Sequence, residues 1–388
     1  MLTIIITIVM FLVLISIHEF GHFIMAKLMG IKVEEFSVGM GPGIFKKRGH
    51  KTLYSLRLIP FGGYCRFVDD LDDSEALNNQ KKHKRFLVLI SGALLNVVLG
   101  YLLFVLMTAT MPHSDGEQNM ISVPVVDKVV KNSYIAEAGL KSGDEIIEIN
   151  GKKVGFYQDI ALYTSDFTED TIADVKVRRD GKEHTISFKP TVSETTYNYK
   201  ENYVEVISSV NGHTSVQKYD YSQDASSEEI AEMAGKSETE KRLIIGFNPK
   251  SEVVGLNNIF QYSYHYTIYV VKMVYKSLWD LVSGNVGLES VSGPVGIVGV
   301  VNDAVRTGSY GFVNVLFLAA VITINLGIFN LLPIPALDGG RLVFLIIEAI
   351  IGKKISAQKE ELIHTIGLVA LMILGIFIAF SDVFKMIK

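Results

Sequence analysis

Residues 2–25 read LTIIITIVMFLVLISIHEFGHFIM, an apolar run whose ionisable members are His18, Glu19 and His22. A helix needs about 20 mostly apolar residues to cross a bilayer, and this run is long enough. An ionisable side chain at membrane depth costs roughly 2.5–3.5 kcal/mol even on a lenient insertion scale. Three of them within five residues therefore call for a function. His18 and His22 are four residues apart and project from one face of a helix. Two imidazoles so spaced, with a glutamate beside the first, suit a bound zinc ion and a group that handles the protons of an attacking water. Chance explains that spacing in a soluble helix but poorly inside an apolar run. The run lacks the basic leader and small-residue cleavage site of a secretory signal and reads as a retained membrane helix.

Three more stretches qualify as spans: 86–110, 311–332 and 362–380, the second of them without a charge. Lys and Arg near helix ends favour the cytoplasm. Residues 26–85 hold 12 of them, whereas residues 111–310 hold 19 against 28 Asp and Glu. The connector 333–361 adds Arg341, Lys353, Lys354 and Lys359. These loops predict an outside N-terminus, a cytoplasmic first loop, an acidic outside domain, a cytoplasmic second connector and an outside C-terminus. Segment 260–281 has Phe260, Tyr264, Ile268, Val271, Tyr275 and Leu278 at helical spacing, but also Lys272, Lys276 and Asp280. It reads as a helix lying on the membrane, with a fifth span as the alternative. The whole composition agrees: charged residues are 20%, mean hydropathy is +0.31 and net charge is −4, which excludes a disordered chain and offers no basic field for nucleic acid. The single cysteine, Cys65, excludes an intrachain disulfide and a cysteine zinc cluster.

From Ser122 to Pro190 the pattern turns to short alternating runs. Candidate strands are 123–130, 145–149, 174–178 and 184–188, the last after the Asp180-Gly181 turn. Ala138-Gly139-Leu140-Lys141-Ser142-Gly143-Asp144-Glu145-Ile146-Ile147-Glu148-Ile149-Asn150-Gly151 resembles the PDZ signature, with two turns bracketing one strand. A PDZ domain binds an extended peptide as an added strand; the bland alternative is a spacer. Residues 191–241, rich in Ser, Thr, Glu and Tyr, read as an insertion or flexible loop, and Leu243 to Phe247 as a returning strand. No internal repeat is evident.

Two histidines do not complete a catalytic zinc site, which usually takes three protein ligands and one open position. Asp338, in Asn330-Leu331-Leu332-Pro333-Ile334-Pro335-Ala336-Leu337-Asp338-Gly339-Gly340, is the only carboxylate between Asp303 and Glu348. Pro333 and Pro335 break the helix where backbone can line a cavity. Asp338 is thus the candidate third ligand, the alternative being an ordinary helix cap.

His-Glu-Phe-Gly-His in the first helix, the 330–340 stretch and a PDZ domain between them resemble the site-2 protease family of intramembrane zinc metalloproteases. Phe36 to Pro42, Pro60 to Tyr64 and Ser292 to Gly296 match as well, so the resemblance covers nearly the whole chain. Gly92-Ala93-Leu94-Leu95-Asn96 departs from the family in lacking a proline, and Gly62-Gly63-Tyr64-Cys65-Arg66 departs at its last two residues. With one PDZ domain rather than two, the resemblance implies a branch common in Gram-positive bacteria. The resemblance implies one zinc on His18, His22 and Asp338, Glu19 as catalytic acid–base, and Asn330 as a residue that holds substrate or stabilises the oxyanion. It also implies single-span membrane substrates, such as anti-sigma factors trimmed by an upstream site-1 protease, or remnant signal peptides.

The expected fold is a polytopic α-helical bacterial plasma-membrane protein of about four spans with an inserted extracytoplasmic, mainly β PDZ domain. The parts are 1–110 (spans 2–25 and 86–110 joined by loop 26–85), 111–254 with insertion 191–241, a surface helix and connector over 255–310, and 311–388 (span 311–332, loop 333–361, span 362–380). Glycine-rich segments 39–45 and 53–67 are candidates for a membrane-dipping hairpin whose edge pairs with an unwound substrate, or for plain cytoplasmic β structure. The expected partners are membrane proteins and lipid, not nucleic acid. Two competing readings are a metal transporter or sensor using the same cluster, and a PDZ scaffold on a dead enzyme, which the intact His18, Glu19, His22 and Asp338 disfavour.

Overall fold

A computed structural model describes residues 2–68, 74–110, 120–200, 203–220, 235–287, 293–306 and 311–387. The chain divides into two compact units, 1–117 with 255–388, and 118–254.

The first unit opens with helix α1 (Leu2–Leu28) and a hairpin of β1 (Val33–Arg48) and β2 (Leu53–Phe67), paired antiparallel with repeated register shifts. Glu35 locks the hairpin. Its side chain is 1% exposed; Oε1 accepts from Ser55 at 2.6 Å and Arg57 at 2.7 Å, and Oε2 from Arg66 at 2.7 Å. Burial alone would raise its pKa, but the hydrogen bonds from Ser55, Arg57 and Tyr64 outweigh it and hold the carboxyl at about 2. The lock therefore stays ionised at any physiological pH.

Helix α2 (Lys82–Thr110) follows. The second unit then begins with β3 (Met120–Val129), α3 (Tyr134–Glu137), β4 (Glu145–Ile149), β5 (Lys152–Lys153), α4 (Tyr157–Thr164), β6 (Ala173–Arg179) and β7 (Lys182–Phe188). These match the predicted strands to within a few residues. It continues with β8 (Thr191–Tyr199), β9 (Tyr203–Val210), β10 (His213–Asp220), β11 (Ser237–Ile244) and β12 (Phe247–Val253). One sheet runs β12-β3-β4-β6-β7 with β5 beside β4. Val126, Ile135, Leu140, Ile146, Ile149, Ile160, Val175, Val177, Ile186 and Phe188 form its core. Asp144, fully buried, accepts from Arg179 at 2.6 Å and from the Lys141 N–H at 2.9 Å. Those donors outweigh burial and lower its pKa.

The reading of 191–241 as a flexible loop is corrected. Its described residues form an antiparallel sheet ordered β10-β9-β8-β11. Tyr, Thr, Val and Ile favour a pleated surface even where few aliphatics are present. Asn211 and Gly212, at φ +50° and +80°, make the two-residue hairpin turn between β9 and β10. The returning strand is also displaced. Leu243 and Ile244 close β11 against β8, and pairing with β3 starts only at Phe247.

The first unit resumes with α5 (Ile259–Val282), α6 (Pro294–Arg306), α7 (Gly311–Asn330), α8 (Asp338–Ile351) and α9 (Ala357–Ile387). Among the described residues, four helices are long and apolar enough to cross a membrane: Leu2–Leu28, Lys82–Thr110, Gly311–Asn330 and Gln358–Lys385. Helix α5 packs on its neighbours mainly by another side than the apolar stripe read from its sequence, although Val271 and Leu278 of that stripe touch the core. Val270 and Val274 join Phe104, Met107, Val313 and Leu316 in a core, while Phe260, Tyr264 and Tyr275 stay exposed. Tyr266 of α5 also stacks on Phe104, with ring centroids 5.3 Å apart. The Gly293-Pro294-Val295-Gly296 stretch starts α6, and the Asp382 carboxylate of α9 accepts from the Gly293 and Gly296 N–H groups at 2.9 Å each.

The expected loop 333–361 contains α8, whose Glu348 is buried with Arg85 of α2 at 2.7 Å. Lys82 Nζ donates to the Glu348 carbonyl, and the Ile355 N–H to its Oε1. Arg85→Met leaves that carboxylate without its cation and is expected to cost about 3–5 kcal/mol, read as a lowered unfolding midpoint in detergent. Adding Glu348→Leu should recover most of the loss; an unchanged midpoint in the single variant would show that the pair does not hold α2 to α8.

Candidate metal centre

Helix α1 buries His18 and His22 on one face, each 5% exposed. Their Nε2 atoms lie 3.2 Å apart. Asp338, the first residue of α8, brings Oδ2 to 3.1 Å from His18 Nε2 and 3.0 Å from His22 Nε2. The cap alternative for Asp338 is corrected: the N-cap position is Leu337, and the Asp338 carboxylate faces the histidines.

Loop backbone sets this position. Ala336 has φ +79°, and its N–H donates to His364 Nδ1 of α9 at 2.8 Å. A Cβ on Gly339 would stand 2.1 Å from the Leu332 carbonyl oxygen, and one on Gly340 2.5 Å from that of Ile334. The two glycines after Asp338 thus let the broken segment 331–335 fold back against the helix start.

Helix α2 forms the back wall. His22 Nδ1 is 2.7 Å from the Val88 carbonyl, which can only accept, so the proton sits on Nδ1 and the Nε2 lone pair faces Asp338 and His18. A Cβ on Gly92 would lie 2.4 Å from His22 Nε2 and 2.9 Å from His18 Cε1. Gly21 of α1 likewise presses on the Ser91 carbonyl, where a Cβ would be 2.5 Å away. The roles of Val88 and Gly92 are not legible in the sequence, because a carbonyl and a missing Cβ have no residue-type signature.

The three ligand atoms fit a small tetrahedral cation. Ligands about 2.0–2.1 Å from zinc at tetrahedral angles lie about 3.3–3.4 Å apart, close to the 3.0–3.2 Å found here. Two imidazole lone pairs aimed at one point repel without a cation between them. Three protein donors leave the fourth position of a tetrahedral ion to another ligand, as a catalytic site requires.

Glu19 points from α1 toward the hairpin, where its Oε2 accepts from the Cys65 N–H of β2 at 2.9 Å. Asn330 is the half-buried last residue of α7, eight positions before Asp338 in the chain.

Residues 6–374 match peptidase family M50. The chain belongs to that family. A Clostridium acetobutylicum relative named "Putative zinc metalloprotease" is 33% identical over 386 residues, covering 98% of this chain and 97% of the relative. A Fusobacterium nucleatum relative of the same designation is 30% identical over 390 residues, covering 99% of each. The regulator of sigma-W protease RasP of Bacillus subtilis is 28% identical over 465 aligned positions, covering 98% of each. The M50 membership makes this chain a peptidase of the site-2 protease type, and the donor set of two imidazoles and a carboxylate suits the zinc chemistry its relatives' names describe.

Proposed function

We propose that this M50 peptidase cuts single-span membrane proteins at or within the bilayer, with one zinc held by His18, His22 and Asp338. The carrying observation is the convergence of their three ligand atoms beside a glutamate in an apolar helix. When bound, zinc supplies Lewis acidity that polarises the scissile carbonyl and acidifies water. Glu19 takes a proton from the attacking water on a carboxylate oxygen and gives it to the leaving amine nitrogen. Asn330 donates to the oxyanion, a contribution of ~3 kcal/mol where geometry is good.

Helical substrate backbone has its carbonyls hydrogen-bonded, so the substrate must unwind before attack. The β1–β2 hairpin supports a strand-pairing role: β2 reaches Glu19 through Cys65, and Met40, Ile44, Phe45 and Leu58 expose apolar surface suited to lipid. Unit 118–254 reads as a PDZ domain. Asn150 and Gly151 turn with positive φ after β4, β12 ends its sheet, and a groove of about 270 Å³ lies between α4 and the 244–248 segment. In the cell this domain stands outside the cytoplasm and admits substrates whose outer part an upstream protease has removed. The name of RasP, a protease that regulates a sigma factor, supports that setting.

The ligand set is tested by Asp338→Ala. Purified protein should hold one zinc, and the variant should lose most of it together with hydrolysis of a membrane-spanning peptide. Full occupancy and activity in the variant would remove Asp338 from the set. Topology is tested by single cysteines in a Cys65-free protein. Residue 150 should label from outside, and residues 50 and 355 only from inside; outside labelling at 355 would refute the four-span arrangement.

A further inference from the structure

Asn96 lies on α2, fully buried, with Nδ2 3.3 Å from His18 Nδ1. Its Oδ1 is equally buried and has no hydrogen-bond partner among the described residues. Its backbone is pinned by α7: Thr323 Oγ1 donates to the Asn96 carbonyl at 3.4 Å, and Gly327 packs where a Cβ would stand 3.3 Å from Asn96 Cβ. The side chain therefore has little room to leave His18, though its terminal amide can turn about its own axis.

The chemistry of the pair decides which amide atom matters. A neutral imidazole carries one proton, and its other nitrogen offers the lone pair. An amide NH₂ against Nδ1 requires that lone pair on Nδ1 and sends the proton to Nε2, toward Asp338 Oδ2 at 3.1 Å. That tautomer cannot bind a metal through Nε2. Half a turn of the amide keeps its shape and presents Oδ1 to Nδ1. His18 Nδ1–H then donates to Oδ1, Nδ2 takes the place where Oδ1 stood, and the Nε2 lone pair faces the ligand point. His22 already shows the same arrangement, with the Val88 carbonyl as acceptor.

We propose that Asn96 is the positioning residue for His18, its amide oxygen accepting Nδ1–H and so holding His18 Nε2 ready for the metal. The inference rests on the zinc-centre reading above. It gives the two histidines matching acceptors on α2, one a backbone carbonyl and one a side chain. It also accounts for a buried polar side chain in a helix otherwise apolar around it. An amide serves both tautomers, so the metal-free protein keeps a hydrogen bond that a carboxylate or carbonyl alone would lose.

The test measures zinc affinity of detergent-purified protein by competition with a chromophoric chelator, alongside the unfolding midpoint of the metal-free form. Asn96→Leu fills similar space without an acceptor and should bind zinc about 10–100-fold more weakly, the usual loss when such an outer partner is removed. Asn96→Asp is acceptor-only and should bind as tightly as wild type or tighter, while its metal-free form melts lower. His18→Ala serves as the reference for loss of a ligand. Equal affinity in wild type and Asn96→Leu would overturn the proposal, as would a loss in Asn96→Asp as large as in Asn96→Leu. Should Asn96→Leu fail to fold, Asn96→Asp decides alone, since a donor role for Asn96 predicts weaker binding there. Absence of zinc binding in wild type, or no loss in His18→Ala, would count instead against the centre itself.

Discussion

Glu19→Gln is expected to keep its zinc and to lose about 10²–10⁴-fold in peptide hydrolysis, the range for removing a general acid–base. Gln has the shape of Glu and can still accept the Cys65 N–H that holds Glu19 at 2.9 Å. What it lacks is the ability to take a proton and return it. Neither imidazole nor Asp338 can substitute, because their lone pairs are turned toward one another's ligand point. The comparison also separates hydrolysis from metal transport. A transporter needs the ligands but no carboxylate beside the first histidine, so its flux would survive the change. Rates on a membrane-spanning peptide in reconstituted vesicles, with zinc content measured on the same samples, read both quantities. Undiminished hydrolysis would remove Glu19 from the chemistry, and loss of zinc would move it into the ligand shell.

Gly92→Ala should disable the centre from the opposite side. The added methyl carbon would stand 2.4 Å from His22 Nε2, 2.8 Å from His22 Cε1 and 2.9 Å from His18 Cε1, all well inside contact distance. Neither ring has an easy retreat. His22 is tied to the Val88 carbonyl at 2.7 Å, and α1 and α2 already touch at Gly21 and Ser91. Overpacking of this kind costs about 1–3 kcal/mol, sometimes more. Here most of it falls on the metal-ready geometry, so zinc affinity should drop by at least about 10–100-fold, at 1.4 kcal/mol per factor of ten. Gly375→Ala on α9, where a Cβ meets nothing within 4 Å, is the control and should alter neither zinc nor activity. Wild-type zinc affinity in Gly92→Ala would mean that the two helices separate at that point at little cost.

Much of the architecture was legible locally. Four apolar runs became four long helices because span length follows from bilayer thickness alone. The i, i+4 spacing put His18 and His22 on one face wherever α1 packs, and the scarcity of carboxylates singled out Asp338. The strands around 145–149 and 174–188 followed from alternation and turn residues. The misreadings have physical causes as well. Residues 191–241 looked unstructured because few of them are aliphatic, yet backbone pairing between β8, β9 and β10 needs no buried core, only compatible side chains and the Asn211-Gly212 turn. Which side of α5 meets other helices was not legible, because a helix with apolar residues on several sides is sorted by its neighbours, here α2 and α7.

The sequence by itself determined the ligand types, their spacing within α1 and the elements that carry them, since these depend on contacts within one helical turn or on a single residue's chemistry. Only the tertiary structure decided how the centre closes. Asp338 meets His18 across 320 residues of chain, Val88 and Asn96 meet His22 and His18 across 66 and 78, and Cys65 meets Glu19 across 46. Those meetings depend on how closely α1, α2 and the start of α8 approach. That approach is set by missing side-chain atoms at Gly21, Gly92, Gly339 and Gly340 and by a backbone carbonyl, none of which leaves a periodic mark in the sequence.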